Sequence, residues 1–193
     1  AESFQFYDIN YAVFPGDSDV PTYEHPPATD FLRYLEAAAK LFARTGSDIG
    51  DALVPPGALV SRRSVQATLP PGGRVTLFKD SRPGRIVGLE IGPAAAFAGA
   101  ERDVLLRIYW DGAEEPAVNG PAGDFFGYSF GEPAVRSLFL GTSEDANYVY
   151  LPMPYERSAR IELVSGRSGG AAIDVRAEIS WAAAGKAADE GRF

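Results

Sequence analysis

From Val65 to Trp181 the sequence consists of short β-prone runs separated by turns rich in glycine and proline. The runs are VQATL, RVTLFK, RIVGLEI, VLLRIYW, RSLFL, YVYLPM, ARIELV and AIDVRAEISW. Because no helices alternate with them, the pattern excludes βαβ units and predicts an antiparallel sandwich. About eight strands in one domain fit a jelly roll better than a smaller immunoglobulin-like sandwich.

The residues before this region predict one strand and one helix. Phe4 to Phe14 is apolar on both alternating faces, as in a strand covered on both sides. Asp30 to Arg44 predicts a helix whose apolar stripe would cover a sheet. The stripe is Phe31, Leu35, Ala38 and Phe42. The predicted fold is therefore all-β, an antiparallel jelly-roll sandwich with one covering α-helix. Its parts are an arm at 1–64, the sandwich at 65–182 and a flexible tail at 183–193, together one domain.

The charge and composition limit the partners. The chain has 26 acidic and 18 basic side chains, a net charge of −8, which disfavours nucleic acid as a partner. No apolar run reaches about 18 residues, so no membrane span is predicted. There is no cysteine and only one histidine, His25, in a proline-flanked loop. Neither a metal site nor a cofactor is predicted.

The start of the chain leaves the compartment open. AESFQF suits a mature end after signal cleavage, which would mean a secreted or periplasmic protein, and it equally suits a cut between two domains. A cytoplasmic location also remains compatible with the sequence, because a β-rich domain of this size folds without disulfides.

The segment WDGAEEPAVNGPAGDFFG, residues 110–127, holds the most groups that could carry chemistry. Its acids would lie on loops at one end of the sandwich, where two of them could flank a glycosidic bond. These acids are Asp111, Glu114, Glu115 and Asp124. Aromatic side chains would bind the face of a sugar ring, and an arginine would clamp the acids or line the rim. The candidates are Trp110, Phe125, Phe126, Tyr128 and Arg136.

A structural interpretation of the same segment stays open. Asp111 and Gly112 would form a hairpin turn, the glutamates would be solvated, and Phe125 and Phe126 would plug the end of the sandwich. Further along, Pro152 and Pro154 cannot donate to a β-ladder, so YLPMPY is predicted to be an edge or a bend.

Four separated motifs resemble one known family over roughly Ile86 to Gly166. They are LLRIYWDGAEEPAV, GPAGDFFG, RSLFLG and YLPMPYERSARIELVSG. In this order and spacing they resemble domain-of-unknown-function family 2961, whose enzymes form glycoside hydrolase family 172 and act on fructofuranose and D-arabinofuranose linkages. The resemblance implies a jelly roll that pairs with a second one. It also implies a homo-oligomer built from trimers, with a furanoside site near a subunit boundary.

The chain departs from the family at the catalytic glutamates. The Trp-Gly-Glu-Gly-Asp and Gly-Thr-Glu-Asp-Tyr-Phe segments that carry them do not occur here. The nearest counterparts by position are Asp103 and Asp124, each one methylene shorter. If the chain takes part in glycoside cleavage, Asp124 is the expected acid, with Asp111 or Asp103 as its partner.

Three functions remain open on the sequence. In the first, the chain is a jelly roll of a furanoside-cleaving protein and contributes to assembly and to the rim of a sugar site. Alternatively, it is a non-catalytic subunit that self-assembles into trimers, shells or filaments. The third function is sugar binding without hydrolysis.

Overall fold

The computed structural model describes residues 11–13, 15–16, 19, 25–99 and 101–183. The chain forms two compact units, Ala1–Ala37 and Ala38–Phe193, and the sandwich belongs to the second. Of the strand predicted over Phe4–Phe14, only 11–13 are described, and they belong to no strand. The remainder of that run and the predicted tail at 184–193 lie outside the described residues.

The predicted helix is present as α1, Thr29–Phe42. Asp30 in its first turn and Lys40 in its last turn complement the helix dipole. No residue of α1 is buried, so its role as a cover stays a prediction. No helix among the described residues combines the length and apolar character that crossing a bilayer requires.

The described residues form twelve strands and a second, short helix, α2 (Ala122–Phe125). The strands are β1 (Val60–Leu69), β2 (Arg74–Asp80), β3 (Gly84–Gly92), β4 (Val104–Trp110), β5 (Val118–Pro121), β6 (Tyr128–Ser129), β7 (Glu132–Pro133), β8 (Leu140–Ser143), β9 (Ala146–Val149), β10 (Met153–Tyr155), β11 (Ala159–Ser165) and β12 (Ile173–Ala183). The sandwich begins at Val60, before the predicted start at residue 65.

Two antiparallel sheets make the sandwich, which confirms the predicted fold class. The larger has the order β1-β12-β3-β9-β8, with β10 also paired to β3. The smaller has the order β2-β11-β4-β5, and β6 and β7 form a separate hairpin. Apolar side chains at alternate positions of both sheets meet in one core, whose fully buried members include Leu89, Ile108 and Ile161.

The segment after α1 packs on the outer face of the larger sheet. Ile49 is fully buried there in a second cluster with Leu138, Tyr148 and Tyr150. Asp48 fixes this segment, because its carboxylate accepts hydrogen bonds from Arg62 Nε at 3.0 Å and Ser180 Oγ at 3.1 Å.

Two predicted strands differ in the structure. RSLFL is mostly a loop, and β8 begins only at Leu140. The reason is local hydrogen bonding: Ser137 N donates to the Leu140 carbonyl at 2.9 Å, and Leu140 N donates to Ser137 Oγ at 3.1 Å. YVYLPM is split into β9 and β10, and β10 pairs only with β3, as expected of the predicted edge around Pro154.

Candidate functional site

The Trp110–Gly112 turn is tied to the chain some 45 residues later. Asp111 lies just after β4 with a φ of 57°, a left-handed conformation that aspartate adopts more readily than most residues. Its Oδ1 accepts hydrogen bonds from the backbone N–H groups of Glu156 at 2.8 Å and Arg157 at 2.7 Å. These hydrogen bonds support the interpretation of Asp111 as a turn residue. They also join two of the sequence motifs, LLRIYWDGAEEPAV and YLPMPYERSARIELVSG.

Asp124 and Asp103 each form an ion pair with an arginine. Asp124 lies in α2, and its Oδ2 accepts a hydrogen bond from Arg102 Nη2 and not from Arg136, for which the sequence left a clamp or a rim position open. Asp103, just before β4, accepts a hydrogen bond from Arg167 Nε at 2.7 Å. About a third of each aspartate side chain is exposed, so both carboxylates lie at the surface.

The three candidate acids do not lie at one end of the sandwich. Asp103 and Asp111 flank the seven residues of β4, which places their Cα atoms roughly 25 Å apart at about 3.3 Å per residue. Asp124 follows β5, which returns antiparallel to the start of β4 with Leu105 opposite Pro121. Asp124 therefore lies at the Asp103 end, far from Asp111. Glycosidase pairs need carboxyl groups about 5–9.5 Å apart, and the length of β4 excludes such a separation between Asp111 and either of the other two acids.

The predicted sugar-binding aromatics mostly belong to the core. Phe126 is fully buried, and its ring contacts Phe125 edge-on with 5.2 Å between centroids. Tyr128 is buried, and its hydroxyl has two acceptors at 3.0 Å, the Ala94 carbonyl oxygen and Asn147 Oδ1. A Cβ on Gly123 would meet the Tyr128 ring at 2.7 Å, so this close approach requires glycine. These contacts give the GDFFG motif a packing role.

Trp110 and Arg136 also contact other residues of the protein. Trp110 is half-buried and stacks on Tyr155, with ring centroids 6.1 Å apart and planes 8° apart. Arg136 is exposed on the loop before β8 and approaches Gly46, where an added Cβ would meet its Nε at 3.2 Å. His25 is exposed, in agreement with the expectation of a surface loop.

The sequence did not predict a carboxylate pair on the outer face of the larger sheet. Glu90 of β3 lies directly opposite Glu178 of β12. Burial raises the pKa of Glu90, and the nearby Asp48 and Glu178 raise it further, against a hydrogen bond that the Tyr150 hydroxyl donates at 2.7 Å. Each glutamate occupies a polar position of an alternating strand, so its orientation was predictable, but the strand register was not.

No cluster of three or more metal-ligating side chains occurs within the described part of the chain. The acids named above face arginines, backbone N–H groups or one another. None of these arrangements resembles the oxygen cage of a calcium or magnesium site.

Two packed antiparallel sheets, with the short helix α2 and the Phe125 and Phe126 rings at one end, define the class of protein as a jelly-roll sandwich. The family model described as GH172 domain-like matches residues 60–175. The chain therefore belongs to the GH172 domain-like family, which confirms the resemblance seen in the motifs. A search of curated proteins finds no match.

Proposed function

We propose that this domain is a non-catalytic jelly roll of a carbohydrate-active protein, in which it acts in assembly rather than as a source of catalytic acids. The observation that carries the proposal is the engagement of all three candidate acids. Asp111 accepts two backbone hydrogen bonds, and Asp103 and Asp124 pair with Arg167 and Arg102. Family membership supports the carbohydrate connection.

The contacts of Asp124 support a structural role. A general acid must reach the glycosidic oxygen of a substrate with its carboxyl group. The Oδ2 atom of Asp124 instead accepts a hydrogen bond from the Arg102 guanidinium. Asp103 is paired in the same way with Arg167, at 2.7 Å. Both carboxylates are therefore already engaged by arginines of the chain itself.

We expect Asp124→Asn to keep any activity toward furanosides and to lose little stability. The Arg102 pair is exposed, so its loss should lower the free energy of unfolding by under about 1 kcal/mol. A catalytic acid would behave differently, because its loss lowers turnover by about 10²–10⁴-fold. Urea unfolding and hydrolysis of an aryl furanoside, measured on the complete protein, separate the two roles.

Asp145→Asn is the matched control, because it removes a comparable exposed pair with Arg176, 2.7 Å long. Both variants should hydrolyse the substrate at the wild-type rate. A loss of turnover in Asp124→Asn alone, with an unchanged unfolding midpoint, would restore the catalytic role of Asp124.

Assembly is the second part of the proposal, and Phe130 carries it. Phe130 and Gly131 form the two-residue turn between β6 and β7, and both have positive φ, 53° and 81°. Such turns favour asparagine-glycine. The Phe130 side chain is 99% exposed, so it contributes no packing energy to the isolated domain, and its backbone conformation is strained. We therefore assign Phe130 to contact with another jelly roll, either a second copy in a trimer-based homo-oligomer or a different jelly roll.

We expect Phe130→Gly to abolish association and to stabilise the isolated domain. Glycine relieves the left-handed strain, which is worth about 1 kcal/mol. Light scattering at micromolar concentration should show an oligomer for the wild type and a monomer for the variant, while urea unfolding should show a raised midpoint.

Leu59→Ser is the control, because Leu59 is 86% exposed in the loop before β1 and its replacement removes comparable apolar surface. That variant should remain oligomeric. A monomeric wild type, or an oligomer that persists in Phe130→Gly, would exclude Phe130 as the assembly anchor. The remaining part of this proposal, a furanoside ligand, draws its support from family membership.

A further inference from the structure

The outer face of the smaller sheet carries a net positive charge, whereas the net charge of the whole chain is negative. Strand register places four basic side chains and one acidic one on this face. They are Arg74, Lys79, Arg107, Arg160 and Glu162. The net charge of the chain is −8, so the charges are segregated. Local fields of this kind attract anionic ligands to one surface.

A cavity of about 180 Å³ opens on this face beside the Gly112 turn. Lys79, Asp80, Tyr109, Gly112, Ala113, Ser158, Ala159 and Arg160 line it. Its volume is below the roughly 300–1,000 Å³ of pockets for drug-sized ligands, and it suits a single ring or a small anion.

Contacts inside the protein hold Arg160 in place. Its guanidinium carbon lies 4.0 Å above the centre of the Tyr109 ring, and its Nε lies 3.5 Å from Oε1 of Glu162. Glu162 is only 4% exposed, so it anchors the arginine from below. A guanidinium stacked on an aromatic ring keeps its edge donors available, and those donors match the two oxygens of a carboxylate.

The one carboxylate among the residues that line the cavity, Asp80, is paired with Arg82. Burial raises the pKa of Asp80, but the Arg82 side chain, with Nε 3.1 Å from Asp80 Oδ1, and the backbone N–H groups of Ser81 and Arg82 together hold the pKa below its ordinary value. The Asp80 carboxylate is thus paired with an arginine of the same turn. Among the charged lining residues this leaves Lys79 together with Arg160, whose ion pair with Glu162 offsets part of its charge.

We propose that this cavity binds a sugar unit that bears a carboxylate, with the carboxylate at Lys79 and Arg160. Ser158 and Gly112 also line the cavity, and the Ser158 hydroxyl can exchange hydrogen bonds with the sugar hydroxyls. The sugar part of the ligand rests on the proposed carbohydrate connection. The carboxylate part rests on the charges and geometry of the cavity.

Calorimetric titration of the whole chain with D-glucuronate, D-glucose and acetate tests the assignment. Glucuronate should bind at low ionic strength and more weakly in high salt, since partly exposed charge pairs are screened. Glucose, which lacks the charge, and acetate, which lacks the ring, should each bind at least about tenfold more weakly, a difference of about 1.4 kcal/mol.

Lys79→Gln is the test variant, because Lys79 is exposed and its loss leaves the core intact. It should weaken glucuronate binding about tenfold. Arg74→Gln is the matched control, since it removes the same charge from the other end of β2 and should leave binding unchanged.

Four titration results would overturn the proposal. They are no glucuronate binding at about 10 mM, equal binding of glucose, equal binding of acetate, and equal weakening by Lys79→Gln and Arg74→Gln. Self-association that disappears in Lys79→Gln without sugar binding would also overturn it, in favour of a protein partner. None of these results depends on Asp124 or Phe130, so the tests of the proposed function stand separately.

Discussion

Phe126→Ala is expected to lower the free energy of unfolding by about 4 kcal/mol, because replacing a fully buried phenylalanine leaves a cavity in the core. Phe126 belongs to the main core cluster and closes the end of the sandwich with Phe125. A loss of this size is a large fraction of the typical stability of a domain, about 5–15 kcal/mol. Urea unfolding followed by the fluorescence of Trp110 and Trp181 measures it.

Phe139→Ala provides the comparison, because Phe139 is 41% exposed and its truncation should cost much less. The sequence left two roles open for Phe126, sugar binding and plugging the end of the sandwich. If Phe126 bound sugar, Phe126→Ala would weaken sugar binding at nearly unchanged stability. A loss of stability below about 1 kcal/mol would contradict the core role.

Asp111→Ala should cost about 2–3 kcal/mol of unfolding free energy. The substitution removes the charged acceptor of two backbone N–H groups, and such bonds contribute about 1.5–3 kcal/mol. It also places alanine at a φ of 57°, where a residue without a local side-chain hydrogen bond is strained. The turn at Gly112 and the chain at Glu156 should loosen together, and hydrogen exchange of the Glu156 and Arg157 amides reports this directly.

Asp111→Asn is the informative partner variant. Asparagine keeps an oxygen acceptor and tolerates the left-handed conformation, so its cost should stay below about 1 kcal/mol. A stable Asp111→Asn domain with normal furanoside turnover supports the turn role. Wild-type stability in Asp111→Ala would refute the hydrogen-bonding account, and a stable Asp111→Asn protein without turnover would revive a catalytic role.

The sequence alone determined the features that depend on neighbours along the chain. Alternating apolar residues between glycine and proline turns predicted most strands of the sandwich, and helix α1 was predicted to within two residues at each end. Asp111 followed by Gly112 signalled the turn after β4. Each of these signals is local, because side-chain direction alternates along a strand and turn residues favour particular backbone angles.

The tertiary structure alone decided which of these residues meet. Asp111 and Asp124 stand 13 positions apart in the sequence, yet antiparallel pairing of β4 and β5 puts them at opposite ends of that hairpin. Phe125 and Phe126 are adjacent, but only Phe126 is fully buried. Glu90 and Glu178 face each other because β3 pairs with β12 in one particular register. Register between strands distant in the chain is set by the fit of two whole hydrophobic faces, and a single segment does not contain that information.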